Sequence, residues 1–215
     1  MIGPFVWGFQ GEYRPHVSRL PRPSAIQWQE HMAFVETYRQ QAVDAINAID
    51  LALVEQAIEW FREARAEGRM IFIAGNGGSA ATASHLVCDL VKDVSYQKDL
   101  RFRAMALQDA VPTATAYAND VHFHDGIVET LRNFARPGDL YVALSGSGNS
   151  MNLVKGLEWA NSAGLKTLAL TGRDGGKLGA AAQLNIQVSV PHMGRIQDAH
   201  HVVCHMLCYA FSETP

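Results

Sequence analysis

The sequence predicts an α/β fold with a parallel sheet covered by helices on both faces, and three observations carry that expectation. Short β-branched or apolar runs alternate with helical patterns, and two of those runs end in turns rich in glycine and serine. The composition is that of one ordinary core: 215 residues, 48% hydrophobic and 18% charged.

Along the chain, residues 1–25 hold Pro4, Pro15, Pro21 and Pro23 with no sustained period. They read as an irregular arm, available to dock on a partner subunit, ahead of a single domain over 26–215. Helical patterns over 25–49 and 51–67 suggest an antiparallel pair, with Gly68 placed for a left-handed cap. Strand-like runs follow at 70–74, 103–107, 140–144, 166–170 and 184–190, and a helix over about 195–211 closes the chain. In such sheets ligands bind beyond the carboxyl ends of the strands, where strand order reverses.

Several classes of protein are disfavoured. A net charge of -3 argues against extended nucleic-acid binding, so no direct nucleic-acid partner is expected. No stretch approaches the roughly 20 apolar residues of a membrane span, and the N-terminus lacks a charged-then-apolar secretion signal. The odd set Cys88, Cys204 and Cys208 fits a reduced compartment better than a disulfide framework. A cytoplasmic protein without membrane partners is expected.

The first turn, Gly75-Asn76-Gly77-Gly78-Ser79, follows a strand and opens a helix expected to end near Val91. Missing Cβ atoms let backbone approach an anion, and the first helical turn supplies free N–H groups and a positive dipole end. It lacks both the G-x-G-x-x-G spacing of dinucleotide sites and the Gly-Lys-Ser/Thr of triphosphate loops, so no nucleotide cofactor is expected. The second turn, Ser145-Gly146-Ser147-Gly148-Asn149-Ser150, repeats the design with hydroxyls that can donate to phosphate oxygens. Gly, Ser and Asn can also simply make a turn and a helix cap, but two such turns in one chain favour a small phosphorylated ligand.

These turns, with His85, Asn119-Asp120, Arg195-Ile196-Gln197-Asp198 and His205, resemble the sugar isomerase (SIS) domain family, and within it the phosphoheptose isomerases. The resemblance spans about residues 30–211. It implies a five-stranded, flavodoxin-like parallel sheet preceded by a helical pair, and a homotetramer with sites between subunits. The activity implied is interconversion of sedoheptulose 7-phosphate and D-glycero-D-manno-heptose 7-phosphate, a step toward bacterial surface heptose. By position, Asn76, Gly77, Gly78 and Ser79 would touch the substrate. Ser145, Gly146, Ser147 and Ser150 would hold phosphate, Asn119 and Asp120 would reach the sugar, and Gln197 would contact ligand or metal. The catalytic pair falls on Asp89 and His205, and a set for one zinc ion per subunit on His85, Asp89, Gln197 and His205.

Residue chemistry leaves alternatives open beside the resemblance. Moving a carbonyl between C2 and C1 needs one base and one acid, for which Asp89 and His205 serve in either order. His85 and Asp89, four apart, share a helical face, as do the members of a solvated surface pair. His201, Cys204, His205 and Cys208 form one stripe of possible zinc ligands, although buried core is the favoured reading for the cysteines. Gln197 and His205 are separated by about 12 Å of helix rise, which His201 as a nearer donor or ligands from different subunits would relieve. His200, His122 and His124 are expected at the surface or in caps.

The chain departs from the family pattern at Asp89, where Glu is usual, at Gly146, where Thr is usual, and at Gly194, where Asp is usual. The shorter carboxylate at 89 withdraws its oxygens by more than about 1 Å, enough to cost about a hundredfold in rate. An alternative function follows: a non-catalytic sugar-phosphate-binding SIS protein, such as a tetrameric partner of the replication initiator DnaA. A sugar-phosphate sensor for transcription is less favoured, since no helix-turn-helix segment is found.

Overall fold

The computed structural model describes residues 25–213. Two compact units divide the chain, Met1–Thr37 and Tyr38–Pro215. The described residues of the first, 25–37, are helical and belong to α1 (Ala25–Asn47). The arm expected over 1–25 lies outside the described residues except for Ala25, which opens α1.

The expected helical pair is α1 and α2 (Leu51–Ala66). Asp50 starts α2 by accepting from the N–H groups of Ala52 and Leu53 at 3.0 and 3.4 Å, which satisfies donors that the first helical turn leaves orphaned. Gly68, at φ +64°, turns the chain out of α2 as its position predicted. Then come β1 (Met70–Gly75), α3 (Gly78–Cys88), β2 (Arg103–Ala106), α4 (Val111–Tyr117), α5 (Gly126–Phe134), β3 (Leu140–Ser145), α6 (Met151–Ser162), β4 (Lys166–Gly172), α7 (Gly176–Ala181), β5 (Leu184–Val188) and α8 (Met193–Glu213).

All five strands are parallel, in the order β2-β1-β3-β4-β5, with Ile71 opposite both Ala104 and Leu140. Their two-residue period sorts the core. Ile71, Ile73, Val142, Leu168 and Ile186 pack with Phe61, Leu86, Ile196 and Val203 from α2, α3 and α8. Phe72, Ala74, Tyr141 and Ala143 face the other way, toward Leu131, Leu153, Leu157 and Leu178 from α5, α6 and α7. The chain leaves β1 for β2 on one side and β3 for β4 on the other, so strand order reverses between β1 and β3. Both glycine- and serine-rich turns sit at that switch point, where an open α/β sheet places its ligand.

Two segments depart from regular helix. The helix expected to run to Val91 ends at Cys88 and continues as one π-helical turn, Asp89–Asp93, in which Val94 N–H donates to Asp89 O at 3.1 Å. A second π turn covers Ala118–His122. An extra residue per turn leaves no mark in composition, so the pattern over 78–91 reads as plain helix; such turns are frequent at functional sites.

His200, expected at the surface, is 1% exposed. It sits beside the core stripe of α8, and its Nε2–H donates to Thr171 O at 3.0 Å, tying α8 to β4. Burial drives its pKa down to about 4, against the smaller opposing effect of that hydrogen bond.

Candidate active site

The first turn is tight for steric reasons. A Cβ at Gly75 would collide with the carbonyl of Ser79, and Gly77 holds φ +54° with open space beside it. Ser79 is buried, with its N–H donating to Asn76 O at 3.0 Å. No side chain caps α3, leaving its N-terminus to other acceptors.

In the second turn three hydroxyls converge without satisfying one another. Ser145 Oγ lies 3.4 Å from Ser147 Oγ and 3.3 Å from Ser150 Oγ, long against the usual hydroxyl spacing of about 2.7–2.8 Å. Ser150 occupies the N-cap of α6 yet makes no side-chain cap, so its hydroxyl and the helix's first N–H groups remain for an anion. The loop is held rigidly from behind. Asn149 Nδ2 donates to Ser147 O at 2.9 Å, Asn149 Oδ1 accepts from Lys177 N–H at 3.2 Å, and Gly148 O accepts from Leu178 N–H at 2.8 Å.

Asn152, which the sequence did not single out, joins the two turns. Its amide exchanges a reciprocal pair of 2.9 Å hydrogen bonds with the amide of Asn76. The available signal was a buried-register polar residue two positions after Ser150 in an otherwise apolar helix face.

The reactive groups lie where α3 and α8 run side by side in the same direction. Gln197 rests on Gly78, its Nε2 2.6 Å from where a Cβ would stand, and farther along Tyr209 Oη donates to Asp93 Oδ2 at 3.3 Å. Between them, His85 Nε2 meets His205 Nε2 at 3.0 Å, so one imidazole donates and the other accepts. Asp89, its side chain 5% exposed, brings Oδ2 to 3.2 Å from His85 Nε2 and 3.7 Å from His205 Nε2. That oxygen is buried without a well-directed hydrogen bond, which leaves a lone pair for a proton or a cation.

His201 completes the cluster: one donor nitrogen each from His85, His201 and His205 lie within 4.8 Å of one another. Burial, then the neighbouring His85 and His205, hold the His201 pKa below the usual imidazole range, keeping it in the neutral form that ligates metal. Cys204 and Cys208 are buried in the core, and burial, reinforced by the Asp89 charge, pushes both thiols up to about 12. They are core residues of the stripe.

Asn119 and Asp120 fall in the second π turn, exposed, with Asn119 Nδ2 donating to Asp120 Oδ1 at 2.7 Å. They pair with each other, and among the described residues no hydrogen bond brings them onto either turn.

Two of the departures from the family pattern have steric counterparts. A Cβ at Gly146 would collide with the Met193 sulfur, and one at Gly194 would stand 2.8 Å from Tyr38 Oη. Tyr38 Oη donates to Asp198 Oδ2 at 2.8 Å and the Arg195 guanidinium lies 4.8 Å over its ring, so a carboxylate is present one helical turn beyond position 194.

The sequence matches the SIS domain family over residues 36–172, and the chain belongs to that family. Among its relatives, a probable phosphoheptose isomerase of Thermoplasma volcanium is 38% identical over 171 residues, covering 80% of this chain and 87% of that protein. The phosphoheptose isomerase of Aquifex aeolicus is 34% identical over 198 residues, covering 92% and 95%. The phosphoheptose isomerase GmhA from Neisseria gonorrhoeae superimposes with a TM-score of 0.79 at 30% identity, covering 87% of this chain and all 100% of that one. A Francisella tularensis phosphoheptose isomerase, at 24% identity and a TM-score of 0.77 over 89% and 100%, shares the fold.

Proposed function

We propose that this protein is an aldose-ketose isomerase that interconverts sedoheptulose 7-phosphate and D-glycero-D-manno-heptose 7-phosphate. The observation that carries it is a buried carboxylate, Asp89, set against two imidazoles on helices that flank a hydroxyl-lined turn at the sheet's switch point. The names of the relatives point the same way.

Ser145, Ser147, Ser150 and the uncapped start of α6 bind the phosphate, fixing the sugar chain so that its reacting end approaches α3 and α8. Gly77, Gly78 and Ser79 line the first turn, while Asn152 holds Asn76 in place beside the second. Asp89 removes a proton from C1 of the ketose as His205 delivers one to the C2 oxygen, giving the enediol. Asp89 then returns its proton to C2, and His205 recovers one from the C1 hydroxyl, leaving the aldehyde. The net change is one proton moved from C1 to C2 and one from O1 to O2. Burial of Asp89 keeps competing water from the base. The donors at this site fit a divalent metal, which the imidazoles of His85 and His205 would hold beside Asp89 and which, when bound, would polarise the sugar carbonyl.

A homotetramer in the cytoplasm, with sites completed between subunits, is part of the proposal. Exposed Val111, Val121 and Phe123 flank the exposed Asn119 and Asp120, the pattern of a surface that a second copy would cover while those polar groups reach its sugar. Among the described residues no helix is long and apolar enough to cross a membrane.

Incubation with sedoheptulose 7-phosphate, with and without added zinc, tests the activity. The aldose product should appear under at least one condition. Tight binding of the sugar phosphate with no product under either would replace the isomerase with a binding protein.

A further inference from the structure

The cluster contains an imidazole beyond the catalytic pair. His201 packs 4.6 Å, ring centre to ring centre, from His85 and 4.7 Å from His205. Zinc–nitrogen bonds of about 2.05 Å in a tetrahedral site place ligand atoms about 3.3 Å apart. His85 and His205 already stand 3.0 Å apart at Nε2, and the third donor lies within 4.8 Å of both. Small rotations close that gap, since His85 is exposed and His201 and His205 are half-buried.

Gln197 is placed differently. Its amide is packed on Gly78, with Nε2, Cδ and Oε1 at 2.6, 3.1 and 3.2 Å from where a Cβ would stand. It stands one turn before His201, about 6 Å back along α8. The buried Asp89 carboxylate beside the three rings supplies negative charge that offsets a dication. Three imidazoles with room for a fourth ligand suit zinc, cobalt or nickel rather than magnesium or calcium.

We infer that this chain binds one divalent transition-metal ion through His85, His201 and His205, with His201 and not Gln197 as the third protein donor. The site lies in the same cleft as the proposed isomerase centre and deepens that proposal, yet metal binding is read without turnover.

The test uses the full chain, stripped of metal and titrated with Co(II), reading the visible absorption of the bound ion, then with Zn(II) against a chromophoric chelator. One equivalent should bind to the unaltered protein. His201→Ala should weaken binding by about a hundredfold or more, His201→Asp should retain part of it, and Gln197→Ala should bind as the unaltered protein does. Far-ultraviolet circular dichroism of each variant separates lost ligation from lost folding. No binding by the unaltered, folded protein would overturn the inference. So would loss of metal in folded Gln197→Ala with retention in His201→Ala. Metal bound through His201 in a protein that leaves sedoheptulose 7-phosphate unchanged would support this site and sink the isomerase, so the two proposals fail separately.

Discussion

The two sides of the cleft are built on opposite principles. The Ser145–Ser150 side uses neutral hydroxyls and backbone, tied from behind by Asn149, Leu178 and Asn152, and carries no titrating group. The α3–α8 side crowds a buried carboxylate and three imidazoles into mutual contact and leaves Asp89 Oδ2 without a directed hydrogen bond. A frame tied from behind, with its hydroxyls left open, binds a fixed charge well, because little reorganisation is needed. Proton transfer needs the reverse, groups whose protonation is finely balanced by close neighbours. The difference separates binding from chemistry, and each side should fail in its own way when altered.

The largest effect is expected on the reactive side. Asp89→Asn should lower kcat by about 10²–10⁴-fold while leaving KM nearly unchanged, measured as steady-state isomerisation. A matching rise in KM would mean that Asp89 also positions the sugar and would break the division.

Next comes the anchor of α8. Folded His200 has its pKa lowered to about 4, so between the ordinary imidazole value and 4 the unfolded chain binds a proton that the native state refuses. Stability should therefore fall as pH drops through that window, by roughly 3 kcal/mol at its acidic end, and stay level below it. Thermal melts across a buffer series should show this slope, and His200→Gln should flatten it.

On the binding side, Gly148→Ala puts a side chain at φ +64° and drives its Cβ into the Gly175 carbonyl. A loss of about 2–3 kcal/mol is expected, seen as a Tm lowered by about 4–10 °C together with a raised KM. Ser147→Ala should be milder, costing about 1.5–3 kcal/mol of phosphate binding, a KM increase of roughly ten- to a hundredfold with kcat spared. A fall in kcat with KM held would place that hydroxyl in the chemistry instead.

Much of the frame is legible in the sequence. Each strand-like run became a strand with ends shifted by two residues or fewer, and Gly68 ended α2, because apolar period and glycine placement are local signals. The two turns were legible for the same reason. The third imidazole is legible as one residue of a stripe that also holds Cys204 and Cys208, with core favoured for the cysteines and His201 offered as a nearer donor than Gln197. Burial chose: the thiols turn into the core and His201 meets His85. His200 reads as a surface residue because one more polar side chain beside that stripe looks solvated until the fold brings Thr171 O to accept its hydrogen bond.

The sequence by itself determined the alternation of elements and the two anion-ready turns, since each depends on residues close together in the chain, while the acid-base candidates came from the resemblance to a family. Only the tertiary structure decided that Asn152 joins those turns across 76 positions, that a π turn begins at Asp89, and that α3 and α8 run alongside with His85 against His201 and His205. Periodicity tells which face of a helix is apolar; which polar edge it meets is set by how two helices pack on one sheet, and that is a property of the whole fold.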